Sequence, residues 1–211
     1  VDTEEGVIYH GGLLRFFHGF RIKEVLEAKY HLPVMALNDG KAAALAELAT
    51  GHLQGVTNGA ALVLGSGLGG GFIINGKLFQ GSHFQAGELT FLLPVQMEQV
   101  DPSLMRGMTL SAVGLITKVN EVLGNSDLKD GLAAFKDINA GDETVYSLFE
   151  SYCRNLAITI LNLQTIFDVE TFVIGGGISA QPILIKEVNR QFDKAHHEID
   201  FIGKIIKRPQ I

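Results

Sequence analysis

The chain has 211 residues, 46% hydrophobic and 19% charged, with a net charge of −6 and 25 glycines. This is a globular composition, long enough for one large domain or two small ones. With no run of Lys and Arg, it argues against a broad nucleic-acid or anionic-membrane surface.

The opening residues, Val1 to Ile8, read as a turn feeding a strand. Ile22, Val25, Leu26 and Tyr30 fall at helical spacing, and Pro33 ends that helix. Val34-Met35-Ala36-Leu37 then reads as a short buried strand. A helix follows from about Lys41 to Thr50, with Gly51 as its stop. Ala60 to Leu64 is a second buried strand, and it runs into the glycine run Gly65 to Gly71. Asn75-Gly76 between two apolar runs is a strong hairpin signal. Gly81 to Phe91 is a loop with a polar centre, and residues 92 to 107 are irregular. Helical spacing returns from Thr109 to Leu123 and from Leu132 to Ile138. Asp142 caps a long helix to about Phe167, with an apolar stripe that includes Val145, Phe149, Leu156 and Ile160. Thr171 to Ile174 is a strand that enters Gly175-Gly176-Gly177. A helix starts near Pro182 and runs to about His196. Ile205-Ile206 reads as the start of another strand. Strands alternating with helices give an α/β fold.

Four segments could carry chemistry. Gly65-Ser66-Gly67 and its following glycines free the backbone to curl N–H groups around an anion, or serve a tight turn. The spacing Gly65-x-Gly67-x-x-Gly70 also fits a dinucleotide fingerprint, but that motif must open a helix, and this run opens a strand. Gly175, Gly176 and Gly177 stand between a strand and a helix, where a phosphate or close packing would both need glycine. Two glycine sites after buried strands favour one shared nucleotide. Asp39, at a strand-to-helix junction, is either a helix cap or a general base held ionised by the helix dipole. Asn38 beside it can donate to and accept from a sugar hydroxyl. Glu88, in the polar loop, is a second candidate sugar ligand, with His83 nearby. The other histidines (His10, His18, His31, His52, His196, His197) show no metal spacing, and His196-His197 is expected to meet the carbonyls ending its helix. Cys153 is the single cysteine, so a disulfide framework or Cys-based zinc site within one chain is excluded. No apolar stretch reaches the ~20 residues of a membrane span. No signal peptide opens the chain, and a cytoplasmic location is expected.

Taken in order, these segments resemble the ROK family of sugar kinases and repressors. The resemblance rests on Val1-Asp2 to Ile8, Leu32-Pro33-Val34, Leu37-Asn38-Asp39, Ala42 to Glu47, Gly65 to Gly71, Asn75 to Leu78, Gly81, Ala86-Gly87-Glu88 and Ile174 to Ser179. It implies an actin-like, ribonuclease-H-like fold of two domains. Residues 1–40 would be the remnant of a smaller N-terminal domain and 41–211 the larger nucleotide- and sugar-binding domain. It further implies ATP and Mg2+ as cofactors, a small sugar substrate and a homodimer. By position, Asp39 looks like the catalytic base and Asn38 and Glu88 like sugar ligands. Gly65, Ser66 and Gly67 look like a phosphate loop, and Gly175, Gly176 and Gly177 like the adenosine site.

Three departures qualify the resemblance. The family's opening Asp-x-Gly-x-Thr is absent. Measured against the family, the chain begins partway through the small domain and stops before the closing helix, so this fragment alone is expected to be inactive. The usual Glu-x-Gly-His is Glu88-Leu89-Thr90-Phe91, and the Cys-rich zinc motif is missing, so no structural zinc is expected. The chain is similar to a zinc-free branch that includes β-glucoside kinases, and Phe91 would stack on a bulky aglycone. A kinase for glucose or a β-glucoside is the leading expectation. A non-catalytic sugar-sensing regulator and a degenerate kinase are the alternatives.

Overall fold

The computed structural model describes residues 1–9, 11, 14–93, 99–198 and 201–211. The chain opens on a two-stranded antiparallel ribbon, β1 (Val7–Ile8) with β2 (Phe20–Arg21), followed by α1 (Ile22–Tyr30) and α2 (Asp39–Thr50). Next come β3 (Gly59–Leu64), β4 (Leu68–Ile74) and β5 (Lys77–Phe79). Short helix α3 (Arg106–Thr109) leads into α4 (Ala112–Leu123), α5 (Gly131–Ala140) and the long α6 (Glu143–Phe167). The chain closes with β6 (Thr171–Gly176), α7 (Pro182–His197) and α8 (Ile202–Ile205).

The main sheet has the order β5-β4-β3-β6, with β3 parallel to β6 and the other pairs antiparallel. It is covered on both faces, so β3 reads as a nearly continuous apolar run rather than an alternation. Side chains alternate across it. Ala61 and Ile73 face α2 with Ala44 and Leu53. Ala60, Leu62, Leu64 and Phe72 face the other helices, where Val145, Phe149, Leu156 and Ile160 of α6 complete the core. Each fully buried Leu or Phe there contributes roughly 1.5–3 kcal/mol. Asn75 (φ 53) and Gly76 (φ 70) both take the left-handed conformation of a type I′ turn, which pins the β4–β5 register. Asp142 caps α6 by accepting from the Thr144 N–H at 2.8 Å.

Four expectations are corrected. Residues 34–37 form no strand: Leu32 and Met35 are exposed, and no described strand lies alongside to take their ladder bonds. Ile205-Ile206 forms no strand either, because the Ile206 N–H bonds locally to the Ile202 carbonyl at 2.8 Å. The chain meets the sheet later, where the Phe172 N–H bonds the Gln210 carbonyl at 2.8 Å. The helical stretch from Thr109 is two helices, because Ser111 turns extended and caps α4. Of the paired histidines, His197 Nδ1 meets the Asp193 carbonyl within its own helix, whereas buried His196 directs Nε2 to Ile206 of the next segment. His10 and residues 94–98 lie outside the described residues. No described helix is long and apolar enough to cross a membrane.

Candidate active site

Three backbones converge at Gly70 of β4. A Cβ on Gly40 of α2 would lie 2.7 Å from the Gly70 nitrogen, and one on Gly87 would lie 2.5 Å from the Gly70 oxygen. Gly87 also has φ 87, open to glycine at least cost. A Cβ on Gly71 would lie 2.6 Å from that of Ala44. The glycine run therefore divides by role. Residues 65–67 form the turn, whereas 69–71 are strand, stripped of side chains so that α2 and the 81–88 loop can approach.

This contact assembles the first cluster. Asn38 is the N-cap of α2: its Oδ1 accepts the Lys41 N–H at 3.2 Å. Its Nδ2 donates to Glu88 Oε1, 50 residues away in sequence, at 3.4 Å. Asp39 is therefore not the cap. It occupies the first helical position, exposed, with Oδ1 accepting the Gly40 N–H at 2.8 Å. His83 is exposed in the same loop as Glu88, and no hydrogen bond joins its ring to the other three.

A residue that sequence reasoning missed lies beneath them. Lys41 is 1% exposed, and its Nζ donates to the Phe84 carbonyl at 2.5 Å. Burial pushes its pKa below the ordinary lysine value, and the nearby Glu88 charge works in the opposite direction. Nothing in a helical run of Lys and Ala announces a buried amine, because the burial comes from a loop more than 40 residues on.

The second cluster is a cleft of about 450 Å³ between the turn after β3 and the turn after β6. Leu64 pairs with Gly176 in the parallel ladder, so both glycine turns leave the same sheet end. Gly65 and Gly177 line the cleft, and a Cβ on either would meet no atom within 4 Å. Gly176 (φ 103) is instead pressed on the Leu64 backbone, and Gly175 pairs with Val63 as strand. Ser66 is exposed at the tip of its turn, which is closed by the Gly65 N–H to the Gly67 carbonyl at 3.1 Å. The far wall, Asp127, Lys129, Leu132 and Phe135 among others, was not singled out from the sequence. Its only sequence signal is the polar turn before α5, which Asp130 caps. The cleft's size suits a small organic ligand. The turn of residues 65–67 leads directly into β4, which carries Gly70, so one strand connects the cleft to the first cluster. Thr90, just past Glu88, donates to the Leu68 carbonyl at the start of β4 at 3.0 Å. Among the described residues, no three His, Cys, Asp or Glu side chains group as metal ligands.

The geometry thus defines a protein with a glycine-turn cleft beside an acidic, hydrogen-bonding cluster on one α/β sheet. The ROK family model matches residues 1–200, and the chain belongs to the ROK family. It is 30% identical over 203 residues to a beta-glucoside kinase of Listeria innocua, covering 95% of this chain and 67% of that one. A ROK family protein from Streptococcus pneumoniae, solved with sucrose, superposes with TM-score 0.82 at 30% identity, covering 100% of this chain and 70% of that one. A ROK glucokinase from Streptomyces griseus, solved with glucose and AMPPNP, gives TM-score 0.71 at 26% identity, covering 84% and 63%. The chain spans 62–67% of the length of the beta-glucoside kinases it matches. The α/β fold expected from the sequence is that of these sugar kinases.

Proposed function

We propose that this protein is an ATP-dependent carbohydrate kinase whose acceptor site is the Asn38–Asp39–Glu88 cluster. The observation that carries the reading is the division of labour at the start of α2. Asn38 caps the helix, which leaves the Asp39 carboxylate exposed beside two sugar-binding side chains. Asp39 accepts the proton of the attacking hydroxyl as the new bond forms. Asn38 and Glu88 fix the sugar ring so that one hydroxyl meets Asp39.

The glycine-turn cleft fits a nucleotide: Gly65 and Gly177 leave open space where side chains would intrude. Gly65, Ser66 and Gly67 would face its phosphates, and Gly177 with the α5 side of the cleft its nucleoside. ATP with Mg2+ would supply the transferable phosphoryl group. The acceptor is glucose or a β-glucoside, a reading supported by the named relatives and by Phe91. That ring is 63% exposed, at the end of the short turn that follows Glu88. Cellobiose should therefore compete with glucose for phosphorylation, and a clear preference for glucose would remove Phe91 from the account.

In the whole protein, Asp39→Asn should lower the phosphorylation rate by about 10²–10⁴-fold, with sugar affinity nearly unchanged. Retention of the wild-type rate would show that Asp39 is no base, and the kinase assignment to it would be wrong.

A further inference from the structure

Lys41 lies two residues beyond Asp39 and carries two avoidable costs. Its ammonium is removed from water, and it sits in the first turn of a helix, where the dipole disfavours a cation. Packing does not need the charge. The neighbouring core on this face of the sheet is Ala44, Leu53, Ala61 and Ile73, among which an apolar side chain would be at home. Breaking local rules in this way marks positions kept for a site.

What Lys41 holds is the sugar loop. Phe84 has φ 56, a left-handed conformation that an aromatic residue adopts at a cost. Lys41 Nζ takes the carbonyl of that same residue. Beyond it, the Ala86 N–H bonds the Gln80 carbonyl at 3.1 Å and the Glu88 N–H bonds the Gln85 carbonyl at 3.2 Å. These bonds close the loop and deliver Glu88 to Asn38 at 3.4 Å. We propose that Lys41 is a positioning residue for the acceptor. Its buried ammonium holds residues 81–88 in the strained shape that sets Glu88 beside Asn38 and Asp39, and its charge balances that carboxylate.

The inference rests on the acceptor-site reading above, so its test needs one readout that does not involve sugar. In the whole protein, Lys41→Met should raise the KM for sugar about tenfold, with the KM for ATP within twofold. Hydrogen exchange at the Ala86 and Glu88 amides should quicken about tenfold, while α6 is unchanged. Phe84→Gly adopts the left-handed shape freely, so in the Lys41→Met background it should recover part of both losses. Lys41→Gln, which keeps a donor but not the charge, covers the case in which Lys41→Met does not fold. It should leave loop exchange near wild type while raising the sugar KM.

A Lys41→Met protein that melts earlier but keeps wild-type sugar KM and loop exchange would overturn the proposal, leaving Lys41 a structural cation. Failure of Phe84→Gly to recover anything would overturn the part assigned to strain at Phe84. If the wild type phosphorylates no sugar, the kinase reading fails, and the exchange comparison still decides whether Lys41 holds the loop.

Discussion

Among the described residues, two side chains of Lys, Arg, Asp and Glu are buried, and they are treated differently. Glu187 of α7 is 3% exposed and nearly saturated with donors. Arg190 donates to its two oxygens at 2.9 and 2.7 Å, Gln191 at 2.8 Å and Tyr146 at 3.3 Å. Burial raises its pKa, but the bonds from Arg190 and Gln191 outweigh that, and the net shift is downward. Lys41 has one short bond to a carbonyl, and burial dominates its shift. The satisfied charge joins α6 to α7, away from either candidate cluster. The poorly compensated one lies under the proposed base. Burial alone therefore does not separate an architectural charge from a working one. The number of partners and the neighbourhood do.

The comparison can be broken from either side. The largest effect is expected at Gly71→Val. Its side chain would meet Ala44 and the α2 backbone at 2.6–3.0 Å. Overpacking of this kind costs about 1–3 kcal/mol. It should displace Asp39 and Lys41 together, abolishing phosphorylation. A Gly71→Val protein with full activity would show that the close approach of α2 to β4 does not set the site.

Glu187→Ala should cost about 2 kcal/mol through the stranded donors of Tyr146 and Gln191. The melting temperature would fall by about 4–8 °C for a chain of this size. The sugar KM should not move, and a rise in it would erase the distinction drawn above.

The smallest effect is the pH dependence, and it sharpens the contrast most. Glu187 has a lowered folded pKa, so its stabilisation is complete above the ordinary carboxylate value and is lost as pH falls through the folded value. Glu187→Gln should flatten that acid limb of stability. Lys41 also has a lowered pKa, so between that value and 10.5 the unfolded chain binds more protons than the folded one. Stability should rise with pH across this window through Lys41, while sugar affinity falls as the loop loses its ammonium. Denaturant melts and sugar titrations at several alkaline pH values would test this, and parallel changes in both would contradict it.

Local chemistry was legible in the sequence. Asn75-Gly76 gave the hairpin, Asp142 the start of α6, and Asn38-Asp39 a helix start, because each depends on a few adjacent residues. What stayed hidden depends on distant partners. That Asn38 rather than Asp39 caps α2 follows from backbone geometry. Lys41 is buried by Phe84 and its loop, and the three-glycine meeting at Gly40, Gly70 and Gly87 joins residues far apart in sequence. The cleft wall at residues 127–135 is one helical turn and a polar corner until α4 and α7 stand beside it. Residues 34–37 show the converse error: an apolar, β-prone run is a strand only when a neighbour supplies its hydrogen bonds.

The hairpin that fixed the β4–β5 register also sets how the protein ages. Asn-Gly is the sequence in which a backbone nitrogen most readily attacks the preceding side-chain amide, closing a succinimide and expelling ammonia. Asn75 and Gly76 are both exposed, but the Gly76 N–H is bonded to the Thr57 carbonyl at 2.8 Å, which holds that nitrogen back. Ring opening to an isoaspartyl link would add a backbone atom to a two-residue turn that tolerates none. Deamidation at the β4–β5 corner should therefore wait on the opening of the Gly76–Thr57 hydrogen bond, at the opposite end of β4 from the glycine turn.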